Sequence, residues 1–242
     1  MRFKNKVVVV TGASRGIGQS IAIAFVRAGA KVAGVARSDL TATASQVKAA
    51  GGEFVAANAD LGKFTQKQAA DLVARIVKQT GRIDVLVNNA GIIRRAPAVD
   101  YSEADWNEVL QTNLSAPFFL CQAVAKWWLT AGRDKSPADA RLKIVNIASV
   151  LSFQGGITVP AYTASKHGVA GFTKALANEW AKERITSTPL HRVTSPRRTP
   201  SRCATMSNGT RPFLNAYPRA AGADRRTLRA AAFSWRRRRP II

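Results

Sequence analysis

Thr11-Gly12-Ala13-Ser14-Arg15-Gly16-Ile17-Gly18 (TGASRGIG) is the stretch on which the fold turns. It follows the β-branched run Val7 to Val10. It leads into Ile17, Ile21, Ala22, Ala24 and Phe25, which recur at helical spacing until Gly29. Gly12, Gly16 and Gly18 therefore form Gly-x-x-x-Gly-x-Gly between a strand and a helix. Glycine allows a tight turn and close approach of a bound group, and the free N–H groups opening a helix attract an anion. In that setting the turn reads as a pyrophosphate cradle, with Gly12, Ser14, Arg15, Gly16, Ile17 and Gly18 as the candidate binding set.

Outward from this turn, strands and helices alternate. Lys31 to Ala36 reads as strand two, Leu40 to Ala50 as a helix, Phe54 to Ala57 as strand three and Thr65 to Gln79 as a helix. Val85 to Val87 follows as a strand, then a long helix from about Ser102 to Thr130, the strand Lys143 to Ile147, and a helix from Pro160 to Lys182. Apolar strands between amphipathic helices predict an α/β fold of Rossmann type. It is a doubly wound parallel sheet covered on both faces, three layers in all, with ligands at the carboxyl ends of the strands. The polar stretch from Gly132 to Arg141 reads as a solvent loop.

With 242 residues, 46% hydrophobic and 21% charged, the chain is long enough for one large domain and too apolar to be wholly disordered. No apolar run nears 18 residues, and the N-terminus lacks a signal-peptide core, so the expected location is the cytoplasm, away from membranes. Cys121 and Cys203 lack metal-ligand spacing and give no disulfide framework, so no metal is expected.

Strand two closes with Ala36, where an acidic residue would grip a ribose hydroxyl, and Arg37 follows. Without that carboxylate nothing repels a 2′-phosphate, and Arg37 with Arg15 supplies two cations for it. The cofactor expectation is therefore NAD(P), leaning to NADP. The chemistry gathers further along. Ser149 ends a strand, and Tyr162 and Lys166 lie at i and i+4 on one helical face. A phenol is a poor base at neutral pH, but a lysine cation and an oxidised nicotinamide both favour its phenolate. Tyr162 then serves as general acid and base.

These features, with Asn88-Asn89-Ala90-Gly91 closing strand four and Asn113 in the long helix, resemble the short-chain dehydrogenase/reductase family over residues 6–185. The resemblance implies that Ser149 polarises the substrate oxygen, Tyr162 exchanges its proton, Lys166 bonds the nicotinamide ribose, and Asn113 anchors a relay water. Asp60 and Leu61 match the position that meets the adenine, and Asn89, Ala90 and Gly91 match further cofactor contacts. A homotetramer is also implied, through an interface built partly from the segments that the C-terminal quarter replaces here. His167 adjoins Lys166 but faces elsewhere on the helix.

NNAGIIRR (88–95), SVLSFQGGITVPAYTASKHG (149–168) and ANEWAKERI (177–185) resemble the sugar-acid branch of that family. Deoxygluconate or its keto form is the implied small-molecule substrate, with Arg94 facing its carboxylate and Gln154 its hydroxyls beside Ser149 and Tyr162. A 3-ketoacyl carrier-protein reductase shares the same nucleotide turn and is the alternative. Trp106, Trp127, Trp128 and Trp180 read as helix-packing or interface residues.

After Ile185 the family pattern stops. Residues 186–242 carry 13 arginines, no lysine and one acid, Asp224, against 24 basic and 13 acidic residues before them. Bases able to encode Thr186 to Pro196 as TSTPLHRVTSP also encode NVNAIAPGYIA when one base is added in front, which is the family's continuation. Two domains of the sequence are thus expected: a catalytic 1–185, and an Arg-rich 186–242 from a shifted reading frame, leaving the sheet without its final strands and activity impaired. The competing reading of the tail is a selected nucleic-acid arm; specific nucleic-acid binding is not expected.

Overall fold

The computed structural model describes residues 2–134 and 136–192. Its strands are β1 (Val7–Thr11), β2 (Lys31–Ala36), β3 (Phe54–Asn58), β4 (Val85–Asn88), β5 (Leu142–Ser149) and β6 (Ile185–Arg192). All pair in parallel, in the order β3-β2-β1-β4-β5-β6. The chain runs outward from β1 to β3 and then restarts at β4 on the other side. The direction of winding therefore reverses between β1 and β4, which opens a crevice at their carboxyl ends.

Among the described residues six α-helices cover the sheet: α1 (Gly16–Arg27), α2 (Thr41–Ala49), α3 (Gln66–Thr80), α4 (Glu103–Leu110), α5 (Ala116–Trp127) and α6 (Pro160–Glu179). Val7 to Val10 is apolar without alternation because both its faces are buried. Val8 and Val10 join Val32, Val85 and Val87 in a core with Ala22, Val26 and Val47 of α1 and α2. Val9 joins Val35, Leu86 and Ile144 in a second core with Leu72 and Ile76 of α3 and Leu120 and Val124 of α5. Each such side chain contributes about 1.5–3 kcal/mol by leaving water. Trp128 is fully buried with its indole N–H on the Glu183 carbonyl at 3.0 Å, Trp127 and Trp180 pack on the same core, and Trp106 is exposed on α4.

The structure departs from expectation in two places. The long helix is broken in phase by a π turn at Gln111–Ser115 between α4 and α5, and a second π turn, Trp128–Gly132, ends it. The extra residue in the first turn rotates Thr112 and Asn113 inward, to 7% and 1% exposure. The sheet also does not stop at Ile185. β6 pairs with β5 from Leu142↔Ile185 to Ser149↔Arg192, so the expectation of a missing sixth strand is corrected. Strand pairing uses backbone groups, and buried Ile185 and Ser187 suffice to seat it. Pro189, which has no N–H, is tolerated because β6 is an edge strand among the described residues. Residues 193–242, with most of the Arg-rich tail and Cys203, lie outside the described residues. No described helix is long and apolar enough to cross a membrane.

Candidate active site

The glycine turn is built by its neighbours. Gly12 and Gly16 hold φ of 66° and 60°, a region that side chains avoid. A Cβ on Gly18 would overlap the Gly12 carbonyl oxygen, so only glycine permits this closeness of helix and turn. The Thr11 hydroxyl accepts the N–H groups of Asn89 and Ala90, both at 3.0 Å, while Asn89 Nδ2 donates to the Thr11 carbonyl at 2.9 Å. The ends of β1 and β4 are thus clamped across the crevice. Thr11 was not singled out in the sequence, although a hydroxyl beside the first glycine was the available signal.

Arg15 is the N-cap of α1 in extended geometry; no side chain caps the helix and no acid lies in its first turn. Those N–H groups and the helix dipole are open to an anion, so this cradle fits a dinucleotide pyrophosphate. Ile17 is half-buried behind the exposed Gly16. At the end of β2, Arg37 is exposed and lies 3.8 Å from Asp60 Oδ1. Asp60 Oδ1 also accepts the Gly62 N–H at 3.0 Å, which fixes the turn at buried Leu61. Ser38 donates to Ser14 at 2.8 Å, so the first turn and the end of β2 share one rim.

The four candidate catalytic residues come from three segments, Tyr162 and Lys166 sharing α6. Ser149 closes β5, and its Oγ accepts the Leu151 N–H at 3.2 Å. Lys166, 5% exposed, donates from Nζ to the Ile147 carbonyl at 2.6 Å, and its ammonium stands 5.6 Å from the centre of the Tyr162 ring. Ser152 Oγ donates to the Lys166 carbonyl at 2.8 Å, tying the loop after Ser149 to α6; sequence spacing gave no sign of that bond. Asn113 Oδ1 accepts the Ile92 N–H at 2.8 Å, and its Nδ2 donates to the Ile92 carbonyl at 2.9 Å and to Ser165 Oγ at 3.2 Å. A Cβ on Gly91 would lie 3.2 Å from Asn113 Oδ1 and 4.0 Å from Lys166 Nζ, so the loop after β4, the amide and the ammonium share one wall.

The outer residues are less uniform. Arg94 is occupied: Nη2 lies 2.7 Å and Nε 2.9 Å from Glu108 Oε2, with Asp105 at 3.4 Å. Gln154 is exposed in the loop before α6. His167 is exposed with its ring nitrogen on the Thr163 carbonyl at 3.0 Å, away from Lys166. At the end of β6, His191 stacks on Phe153 at 4.6 Å, and burial followed by nearby Lys174 pulls its pKa down.

A parallel doubly wound sheet, a glycine cradle at its switch point and a Tyr/Lys helix beside a strand-end serine together define a dinucleotide-binding oxidoreductase. The model of the short chain dehydrogenase family matches residues 6–191, and the chain belongs to that family. It uses NAD(P) and acts on a CH–OH group. Over 182 residues it is 47% identical to a 2-dehydro-3-deoxy-D-gluconate 5-dehydrogenase of Escherichia coli K12, covering 75% of this chain and 68% of that protein. The protein of that name in Bacillus subtilis 168 is 45% identical over 185 residues, with the same coverage. Among solved structures, an Agrobacterium tumefaciens protein proposed to be a 2-deoxy-D-gluconate 3-dehydrogenase, with bound NADP, is 44% identical. Its TM-score is 0.66, over 77% of this chain and 70% of that one.

Proposed function

We propose that this protein interconverts a secondary alcohol and a ketone on a sugar acid of the deoxygluconate type, with NADP preferred over NAD. The observation that carries the reading is the buried Lys166 ammonium, 5.6 Å from the Tyr162 ring centre and anchored on Ile147 two residues before Ser149. The names of the two curated relatives support the substrate class, and Arg15, Arg37 and the Ser14–Ser38 pair support a 2′-phosphate at the rim.

Gly12, Ser14, Arg15, Gly16, Ile17 and Gly18 would hold the pyrophosphate, Asp60 and Leu61 the adenine, and Asn89, Ala90 and Gly91 the nicotinamide half. Bound there, the nicotinamide supplies the hydride acceptor in oxidation and the donor in reduction. Ser149 donates a hydrogen bond to the substrate oxygen and holds it towards Tyr162. Tyr162 takes the hydroxyl proton in oxidation and returns it in reduction. The Lys166 ammonium, beside the Tyr162 ring, would bond the ribose hydroxyls, and Asn113 would hold the water that refills the proton. Arg94 and Gln154 border the substrate.

The test is turnover of 2-deoxy-D-gluconate and 2-dehydro-3-deoxy-D-gluconate with each nicotinamide, beside a 3-ketoacyl thioester. Sugar-acid turnover that falls about 10²- to 10⁴-fold in Tyr162→Phe, with cofactor binding retained, supports the proposal. Turnover of the thioester alone assigns the enzyme to acyl reduction and sinks it. Because Thr186 to Arg192 stand where the shifted frame would read the family's segment, restoring one base after codon 185 is expected to raise activity. Sequencing the gene across that codon checks the frame.

A further inference from the structure

We infer that Arg95, not Arg94, is the cation that recognises the substrate carboxylate, and that Arg94 is a positioning residue for the loop that carries it. This deepens the proposed function and rests on a carboxylate-bearing substrate entering the same site.

The loop leaving β4 is fixed on both sides of residue 95. Upstream, Asn113 grips Ile92 through both its N–H and its carbonyl. Arg94 is forked onto Glu108, with Asp105 nearby, and its carbonyl accepts the Tyr101 hydroxyl at 3.3 Å. Downstream, the Ala96 N–H donates to the Thr158 carbonyl at 3.1 Å, four residues ahead of Tyr162. Arg95 is therefore one peptide from a bond to the segment that leads into the phenol-bearing helix.

The charges around the two arginines are unequal. Arg94 has two carboxylates within 3.4 Å, and a substrate could reach it only by displacing the Glu108 fork. Arg95 is exposed and, among the described residues, its guanidinium meets no carboxylate, carbonyl or ring. Ile93, two residues before it, and Ile157, next to the Thr158 that bonds Ala96, are 40% and 89% exposed. An unneutralised guanidinium on a loop bonded to the segment that leads into the phenol-bearing helix suits a small hydroxy acid. The planar fork takes the carboxylate in two parallel hydrogen bonds.

The experiment is calorimetric titration of the full chain, saturated with NADPH so that the hydroxy acid cannot be oxidised, using 2-deoxy-D-gluconate and its neutral primary amide. Wild type is expected to bind the acid about tenfold tighter than the amide. Arg95→Gln is expected to abolish that preference through loss of acid affinity, with amide and NADPH affinities unchanged. Arg94→Gln is expected to weaken acid and amide alike, because it loosens the loop, and Arg94→Lys to restore both in part. An acid preference that survives in Arg95→Gln, or that is lost only in Arg94→Gln, overturns the assignment and leaves the sugar-acid function standing. So does equal binding of acid and amide by wild type. Binding of neither ligand by wild type overturns the sugar-acid reading and this inference with it.

Discussion

Asn113 holds Ile92 by both ends of one peptide unit, accepting its N–H at 2.8 Å and donating to its carbonyl at 2.9 Å. The amide does so from a π turn and is itself 1% exposed. Replacing Asn113 with leucine keeps the bulk and removes both bonds. Stability is expected to fall by about 1–3 kcal/mol, read from urea unfolding, because the backbone of Ile92 is left unpaired. The loop after β4 should also exchange amide hydrogens faster.

Gly18 is irreplaceable for a steric reason and Gly171 is not. An added methyl at Gly18 meets the Gly12 carbonyl and the Asn89 side chain, whereas at Gly171 of α6 it meets nothing within 4 Å. Gly18→Ala is expected to abolish NADPH binding, measured by fluorescence titration. Gly171→Ala is expected to leave binding intact and raise stability by about 0.5–1 kcal/mol, since alanine loses less freedom in a helix.

At the amino ends of the strands, Asp84 joins three donors: Val7 N–H at 2.9 Å, Arg82 at 2.7 Å and Lys6 at 3.1 Å. Its side chain is buried while both cations reach solvent. Asp84→Ala strands the Val7 N–H and should cost about 1.5–3 kcal/mol in denaturant unfolding, with turnover per folded molecule unchanged. A fall in turnover beyond the loss of folded protein would mean that this end of the sheet communicates with the site.

Burial pushes the Cys121 thiol from its ordinary 9.0 up to about 12, against the weaker opposing pull of its hydrogen bonds with Asn146 and Asn88. Iodoacetamide at pH 8 is therefore expected to label Cys121 only after unfolding, as mapped on its peptide. The sign for stability follows from the fold holding the neutral thiol. Its contribution is complete below 9.0 and is lost as pH rises towards 12, by up to about 1.4 kcal/mol per pH unit. Cys121→Ala should flatten that alkaline decline.

Much of this could be read from the chain alone where local patterns carry the information. Val7 to Val10 next to three glycines announced a strand, a cradle and a helix, and the i,i+4 pair Tyr162/Lys166 sits on one helix as its spacing requires. Hydrophobic periodicity is blind to one inserted residue, so the π turn that rotates Asn113 inward was invisible. Composition misjudged β6, because a strand needs only backbone partners and a few inward side chains, and Ile185 and Ser187 supply them. The bond between Arg94 and Glu108, fourteen residues on, had no signature in the spacing either.

By itself, the order of residues determined which groups exist and which are neighbours along a helix or a turn: the glycine cradle, the phenol with its ammonium, and the alternation that makes a covered parallel sheet. Only the tertiary structure decided how distant segments share one crevice. Thr11 is clamped to Asn89, Asn113 to Ile92, Lys166 to Ile147, and Arg94 to Glu108. The reason is physical. Periodicity reports which face of an element is apolar, whereas hydrogen bonds and ion pairs depend on distances of about 3 Å, which are set only when every element has packed.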